Sequence, residues 1–398
     1  MKALAVLTLV SALVLPVAAA YVAAYGVLAG ALLFLVRQAV LERAALRTPA
    51  TAPLAAALLL SLAATLLAGP RTGLDWLFPA VFAAPLLALG FAGLGPVAPR
   101  LTTPTMLAGL ALVGTALGLA GGIAEFLATG TSRVGVFNNP IHYAGLMVGL
   151  GFAALSGLET ARGRWRYLFV FGPAMAAAGA FLSGSRGPFL AVAVLGLVLA
   201  GPLIVWNRRD RGFMLTLAAA AAVAAAAFAV SPLGPRALLG VVELVQSVLS
   251  GDSTALDLSR AQMLEGGAAA FRESPLWGHG LGRMMAAAEA HYPADSPYLG
   301  YDNLHSDLAN MAASGGLLGL LAYGLVLAAP LSIAVRARAN RRAALIVALS
   351  ATLGYAVLGL TNAMFGVLPQ MMLHVTLTGW LLLLTRPDRG PGGGVTAP

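Results

Sequence analysis

Apolar residues run through this chain in long blocks rather than in short amphipathic repeats, and polar residues gather in the gaps between the blocks. Twelve apolar stretches stand out, near residues 4–19, 21–36, 51–68, 76–95, 104–124, 141–157, 167–182, 187–206, 213–231, 315–335, 343–362 and 367–384. Each is close to the length a helix needs to cross a hydrocarbon layer of about 30 Å, some on the short side. The expected fold is therefore an all-α polytopic membrane protein of about 12 transmembrane helices. Residues 1–230 hold nine of these spans and residues 315–385 the last three. Between them, residues 231–314 form one large polar insertion, and residues 386–398 (RPDRGPGGGVTAP) read as a disordered, Gly/Pro-rich cytoplasmic tail.

Composition agrees with this pattern. Mean hydropathy is +0.87 and only 10% of residues are charged, which excludes a soluble domain. Short cytoplasmic loops retain Arg and Lys, and seventeen of the 24 basic residues fall on one side of a twelve-span arrangement, Arg162, Arg166, Arg208, Arg209, Arg341 and Arg342 among them. That side is read as the cytoplasm, with both termini on it. The first twenty residues also fit a cleaved signal peptide, but a retained anchor accounts for the arginines equally well and more simply. The net charge of +9 is topogenic and faces anionic membrane lipid, so no nucleic-acid partner is expected. The absence of cysteine excludes disulfides, thiol nucleophiles and Cys-ligated metals.

Seven arginines depart from the bias: Arg71, Arg133, Arg186, Arg236, Arg260, Arg272 and Arg283. Nine of the fifteen acids lie in the outer insertion. It reads as a small helical cap, with one helix over Arg236–Ser250 and a second through Arg260–Phe271 that Ser253 or Thr254 caps. Pro275, Gly278, Gly280 and Gly282 then form a tight loop whose backbone is able to approach a ligand closely. The insertion ends on YDNLHSD at 301–307, where His305 sits among Asp302, Asn303 and Asp307 just before an apolar helix. Titratable chemistry is delivered there to a membrane boundary, which makes this loop the first candidate active site.

Four motifs in order, GVFNNPIHYAG at 135–145, SGSRGPFLA at 183–191, SRAQMLEGGAAAFRESPLWGHGLG at 259–282 and NLHSDLANMAASGGLLG at 303–319, resemble the bacterial O-antigen ligase and polymerase group of membrane glycosyltransferases. Many relatives carry Asn directly after the loop histidine, where this chain has Ser306, with Asn303 preceding instead. The resemblance implies a GT-C-like architecture and transfer of a glycan from an undecaprenyl-pyrophosphate carrier to lipid A core on the periplasmic face of the inner membrane. A repeat-unit polymerase and a protein O-oligosaccharyltransferase are alternatives within the group. A lipid-linked glycan transporter is a further one outside it, disfavoured because the two halves of the chain look different and the polar residues gather outside the membrane.

That chemistry needs cations against a pyrophosphate leaving group and a base for the acceptor hydroxyl. Arg186 and Arg260 are the phosphate candidates, since a guanidinium stays charged and grips phosphate oxygens in a bidentate way. The plainer readings are an interfacial arginine reaching lipid headgroups and a helix residue paired with Glu265 or Asp257. His305 is the candidate general base, oriented by Asp302 or Asp307; capping the next helix or binding pyrophosphate are its other readings. Arg133, Asn138, Asn139, Asn303, Asp302, Asp307, Gly278 and Gly280 are candidates for lining the substrate cavity. No cofactor or metal is expected, because His279, His291 and His305 have no ligand spacing.

Overall fold

The computed structural model describes residues 1–131, 133–230 and 258–385, together with Val242 and Gln246. The expected helix at Arg236–Ser250, its neighbours Ser253 and Thr254, and the tail from Arg386 lie outside the described residues. Among the described residues every regular element is a helix. Eight helices are long and apolar enough to cross a membrane: Ala20–Leu41, Gly73–Val97, Pro104–Thr129, Pro140–Thr160, Gly163–Leu182, Arg186–Asn207, Asp307–Ala334 and Arg341–Thr361. Four shorter apolar helices, Lys2–Leu13, Thr51–Leu67, Arg211–Ala222 and Leu368–Leu384, coincide with the remaining apolar stretches of the sequence.

Side-chain size decides where each helix sits. In Leu368–Leu384 every residue from Pro369 to Leu384 is buried, as befits a helix apolar on all sides. Pro140–Ala154 is buried almost as completely and packs beside it. Arg186–Asn207 lies at the rim. It buries Pro188, Ala191, Leu195, Leu199 and Leu203, about one residue per turn, while Leu197 and Val205 face outward. Close contact relies on small residues, as is usual where lipid removes the hydrophobic drive between helices. At the crossing of Pro140–Ala154 with Phe171–Leu182, a Cβ on Gly151 would lie 2.6 Å from the Gly172 carbonyl oxygen.

Polar residues collect at the two ends of the bundle. At one end, Arg166 bonds Asn207 at 2.6 Å and lies 3.7 Å from Asp210, while Arg342 reaches Glu159 at 3.4 Å and covers the Trp206 ring. Three connections that the sequence assigns to one side of the membrane thus meet in space. At the other end, the described part of the insertion folds on its own small core of Met263, Ala270, Met284, Ala288, Tyr292, Leu304 and Ala313. Its helices are Leu258–Glu273 and Met284–Glu289.

Candidate functional site

The loop Tyr301–Ser306 is fixed from several directions. Asn310 Oδ1 accepts the Leu304 N–H at 2.8 Å, Asn303 Oδ1 accepts the His305 N–H at 2.8 Å, and Ser306 caps the helix that follows. His305 takes φ of +50°, a left-handed conformation that L residues adopt only when their surroundings hold them there. Its half-buried ring then points Nδ1 at Asn362 Oδ1, 3.0 Å away, and meets the edge of Tyr301. With an amide oxygen at Nδ1, that nitrogen carries the proton and the lone pair sits on Nε2.

The sequence offered Asp302 or Asp307 as the group that orients this ring, but the partner is Asn362. Asp307 is fully buried and its carboxylate is taken up elsewhere. Oδ1 accepts the Met364 and Phe365 N–H groups at 2.8 and 2.9 Å, and Oδ2 accepts the Tyr323 hydroxyl at 3.2 Å. It staples the 361–365 connection beneath the His305 loop. Asp302 is exposed. Asn362 was legible only as half of a polar pair, Thr361–Asn362, that closes the apolar stretch 343–362, with Gly366 and Pro369 marking the turn after it.

The same connection gathers two more of the anticipated segments. His142 Nε2 lies 3.2 Å from the Ala363 carbonyl oxygen, and Gln370 Nε2 donates to the His142 carbonyl at 2.7 Å. Asn139 caps the His142 helix through the Ile141 N–H at 2.9 Å. Asn138 and the exposed Arg133 belong to the loop just before it. Arg186 opens its helix from the turn Ser183–Ser185, and a Cβ on its neighbour Gly187 would fall 2.0 Å from Thr361 Oγ1. A larger residue here would have to displace the Thr361 side chain, and the close approach sets Arg186 beside the connection that holds His305. The Arg186 side chain is exposed at that rim.

Arg260, half-buried, lies on the helix Leu258–Glu273 seven residues before Gly267, hence on the same face and about 10 Å along the axis. A Cβ on Gly267 would meet Leu304, the residue before His305, at 2.9 Å. The cap therefore turns the face that carries Arg260 toward the His305 loop.

Gly278 and Gly280 serve a different contact. Their loop lies on a break in Asp307–Ala334, where Gly316 leaves helical geometry with φ 58° and ψ −146°. His279 N and Gly280 N donate to the Ala313 and Ser314 carbonyls at 2.9 Å each, and Leu317 N donates to Pro275 at 2.8 Å. The close backbone approach expected of these glycines is thus made to the protein's own chain. Arg283 is held by Asp75 at 3.9 Å and by the Ala68 and Gly69 carbonyls at 3.0 and 2.9 Å. His279 and His291 flank Glu273 in the cap.

The class is now defined: an all-helical, multi-pass membrane protein with a histidine held at one end of its bundle, beside an arginine and beneath a small helical cap. Over residues 171–324 the chain matches the family model described as O-antigen ligase, which supports the O-antigen ligase family. The match includes Arg186, Arg260 and His305; His142 and Asn362 fall outside it. It supports a glycosyltransferase of the O-antigen ligase or polymerase type, working on lipid-linked glycan. No curated protein matches the chain.

Proposed function

We propose that this protein transfers a glycan from undecaprenyl pyrophosphate to a sugar hydroxyl of lipid A core, at the periplasmic face of the bacterial inner membrane. One observation carries the reading: His305, held by Asn362, and Arg186, set by the Gly187–Thr361 contact, are both fixed on the 361–365 connection. The acceptor oxygen attacks the anomeric carbon of the donor, the bond from that carbon to the pyrophosphate oxygen breaks, and undecaprenyl pyrophosphate leaves. The hydroxyl proton passes to His305 Nε2, the nitrogen left with a lone pair. Arg186 and Arg260 meet the charge that grows on the departing phosphate oxygen. Displacement from the face opposite the leaving group inverts the anomeric centre. Asp307 holds the frame, since it is fully buried and its oxygens accept the Met364 and Phe365 N–H groups and the Tyr323 hydroxyl.

The test is transfer in vitro from a defined carrier-linked glycan to purified lipid A core, with EDTA present. Product is expected from wild type. His305→Ala and Arg186→Ala are expected to lose at least about a hundredfold in kcat while reaching the membrane in normal amount. Elongation of the carrier-linked glycan without transfer to lipid A core would identify a repeat-unit polymerase instead. Full activity in both variants would overturn the assignment of roles.

A further inference from the structure

We infer that the cavity between the outer end of Pro104–Thr129 and the Val136–His142 loop is the subsite for the sugar acceptor, with Phe137 as the ring against which the sugar stacks. This deepens the transfer reaction proposed above and rests on it. The cavity holds about 1050 Å³. Small residues of the helix, Gly121, Ala124 and Ala128, leave the space, and Tyr21 and Phe137 stand at its edge. Its polar lining is Glu125, Thr129, Asn138, Asn139 and His142. His142 is also the wall shared with the site, because Nε2 lies 3.2 Å from Ala363, the residue after Asn362.

The backbone here is set up to display an aromatic ring. Val136 and Phe137 both lie in the left-handed region, at φ 48° and 60°, which is costly for L residues and most of all for a β-branched one. Glu125 sustains it by accepting the Gly135 and Val136 N–H groups. Val136 is consequently buried, whereas Phe137 is 99% exposed. Holding a large apolar ring outward at such a backbone cost calls for a use.

Charge selects among the ligands of the reaction. Among the described residues no Arg or Lys lines the cavity and Glu125 does, so pyrophosphate would find no fixed cation there. A neutral sugar fits better. Its C–H face is apolar and suits an aromatic ring, and the hydroxyls around its edge suit amides. Asn138 Nδ2, buried without a hydrogen-bond partner, offers a donor to such a hydroxyl. The flank also presents an exposed apolar residue, Leu127 on the same helix end at 76% exposure, which suits an acceptor carried on a membrane anchor.

Binding of lipid A core to the full-length protein in nanodiscs, measured without donor, tests this apart from catalysis. Phe137→Ala, Phe137→Leu and Asn138→Ala are expected to weaken it roughly five- to tenfold, while lipid A without core sugars binds wild type and variants alike. In the transfer assay the same variants raise the acceptor KM by a similar factor and leave the donor KM unchanged. Unchanged affinity for lipid A core in all three overturns the proposal. So does equal weakening with and without core sugars, which would make Phe137 a lipid anchor, and so does a rise confined to the donor KM. Loss of transfer in wild type with binding behaving as stated would instead count against the reaction alone.

Discussion

His305 and Asp307 stand two residues apart, one in the loop and the other opening the helix after it, and have opposite fates. The histidine keeps a half-exposed ring with one nitrogen assigned by Asn362, whereas the aspartate is buried among amide donors. An amide partner holds the ring without adding charge; a carboxylate in its place would favour the protonated ring. Two outcomes follow from that difference. Asn362→Leu removes the acceptor at Nδ1 and is expected to lower kcat by about 10- to 100-fold with little change in acceptor KM, the range seen when the group orienting a histidine is lost. Asn362→Asp is expected to retain more activity but to move the acid limb of the rate profile to higher pH, because protonated imidazole cannot accept the hydroxyl proton. A pH-rate series on both variants decides whether Asn362 positions the base; parallel profiles of reduced height would assign it to structure only.

Among the elements, the broken helix Asp307–Ala334 does most to place the site. Its outer turns carry the loop anchor Asp307, its inner part crosses the apolar layer, and the cap loop docks on the break between them. The apolar run in the sequence begins at residue 315, and the break is at Gly316, so hydrophobicity alone marked where the outer segment stops. It did not show that helix continues outward to Asp307. A Cβ at Gly316 would lie 2.5 Å from the Leu276 carbonyl carbon and would force a left-handed φ on an L residue. Gly316→Ala is therefore expected to cost about 2–4 kcal/mol, visible as a lower melting temperature in detergent together with easier proteolysis of the cap. An unchanged melting temperature would show that the cap docks without this contact.

Taken whole, the molecule keeps its charges apart, with a paired basic cluster at one end and the site at the other. In the basic cluster Asp210 is pushed up by burial, but the Tyr167 hydroxyl at 2.7 Å, the Phe213 N–H and the Arg166 guanidinium outweigh this and hold its carboxyl below the usual 3.8. A carboxyl lowered in the folded state adds stability above its unfolded value and loses it as pH falls through the folded one. Asp210→Asn is thus expected to destabilise the protein at pH 7 and to have less effect in thermal melts below about pH 4, where wild type loses the same contribution. An equal effect at both pH values would assign Asp210 a neutral hydrogen-bonding role.

What sequence settled about this protein concerns quantities that are local and additive. Whether a segment prefers lipid depends on the summed hydropathy of about twenty neighbours, and each of the twelve apolar stretches overlaps a helix among the described residues, eight of these helices being long and apolar enough to span. The candidate groups for the proposed reaction were conspicuous too, because an arginine between two glycines or a histidine among acids and amides stands out against an apolar background. Which group faces which was not. The pairing of His305 with Asn362 joins residues 57 apart, and the contact of His142 with Ala363 joins residues 221 apart, so neither leaves a trace in spacing. Burial likewise separated Asp307 from Asp302, since the depth of a carboxylate depends on what the 361–365 connection lays over it. Contacts between distant stretches exist only after the helices pack, and it is packing that turned a list of polar residues into a site.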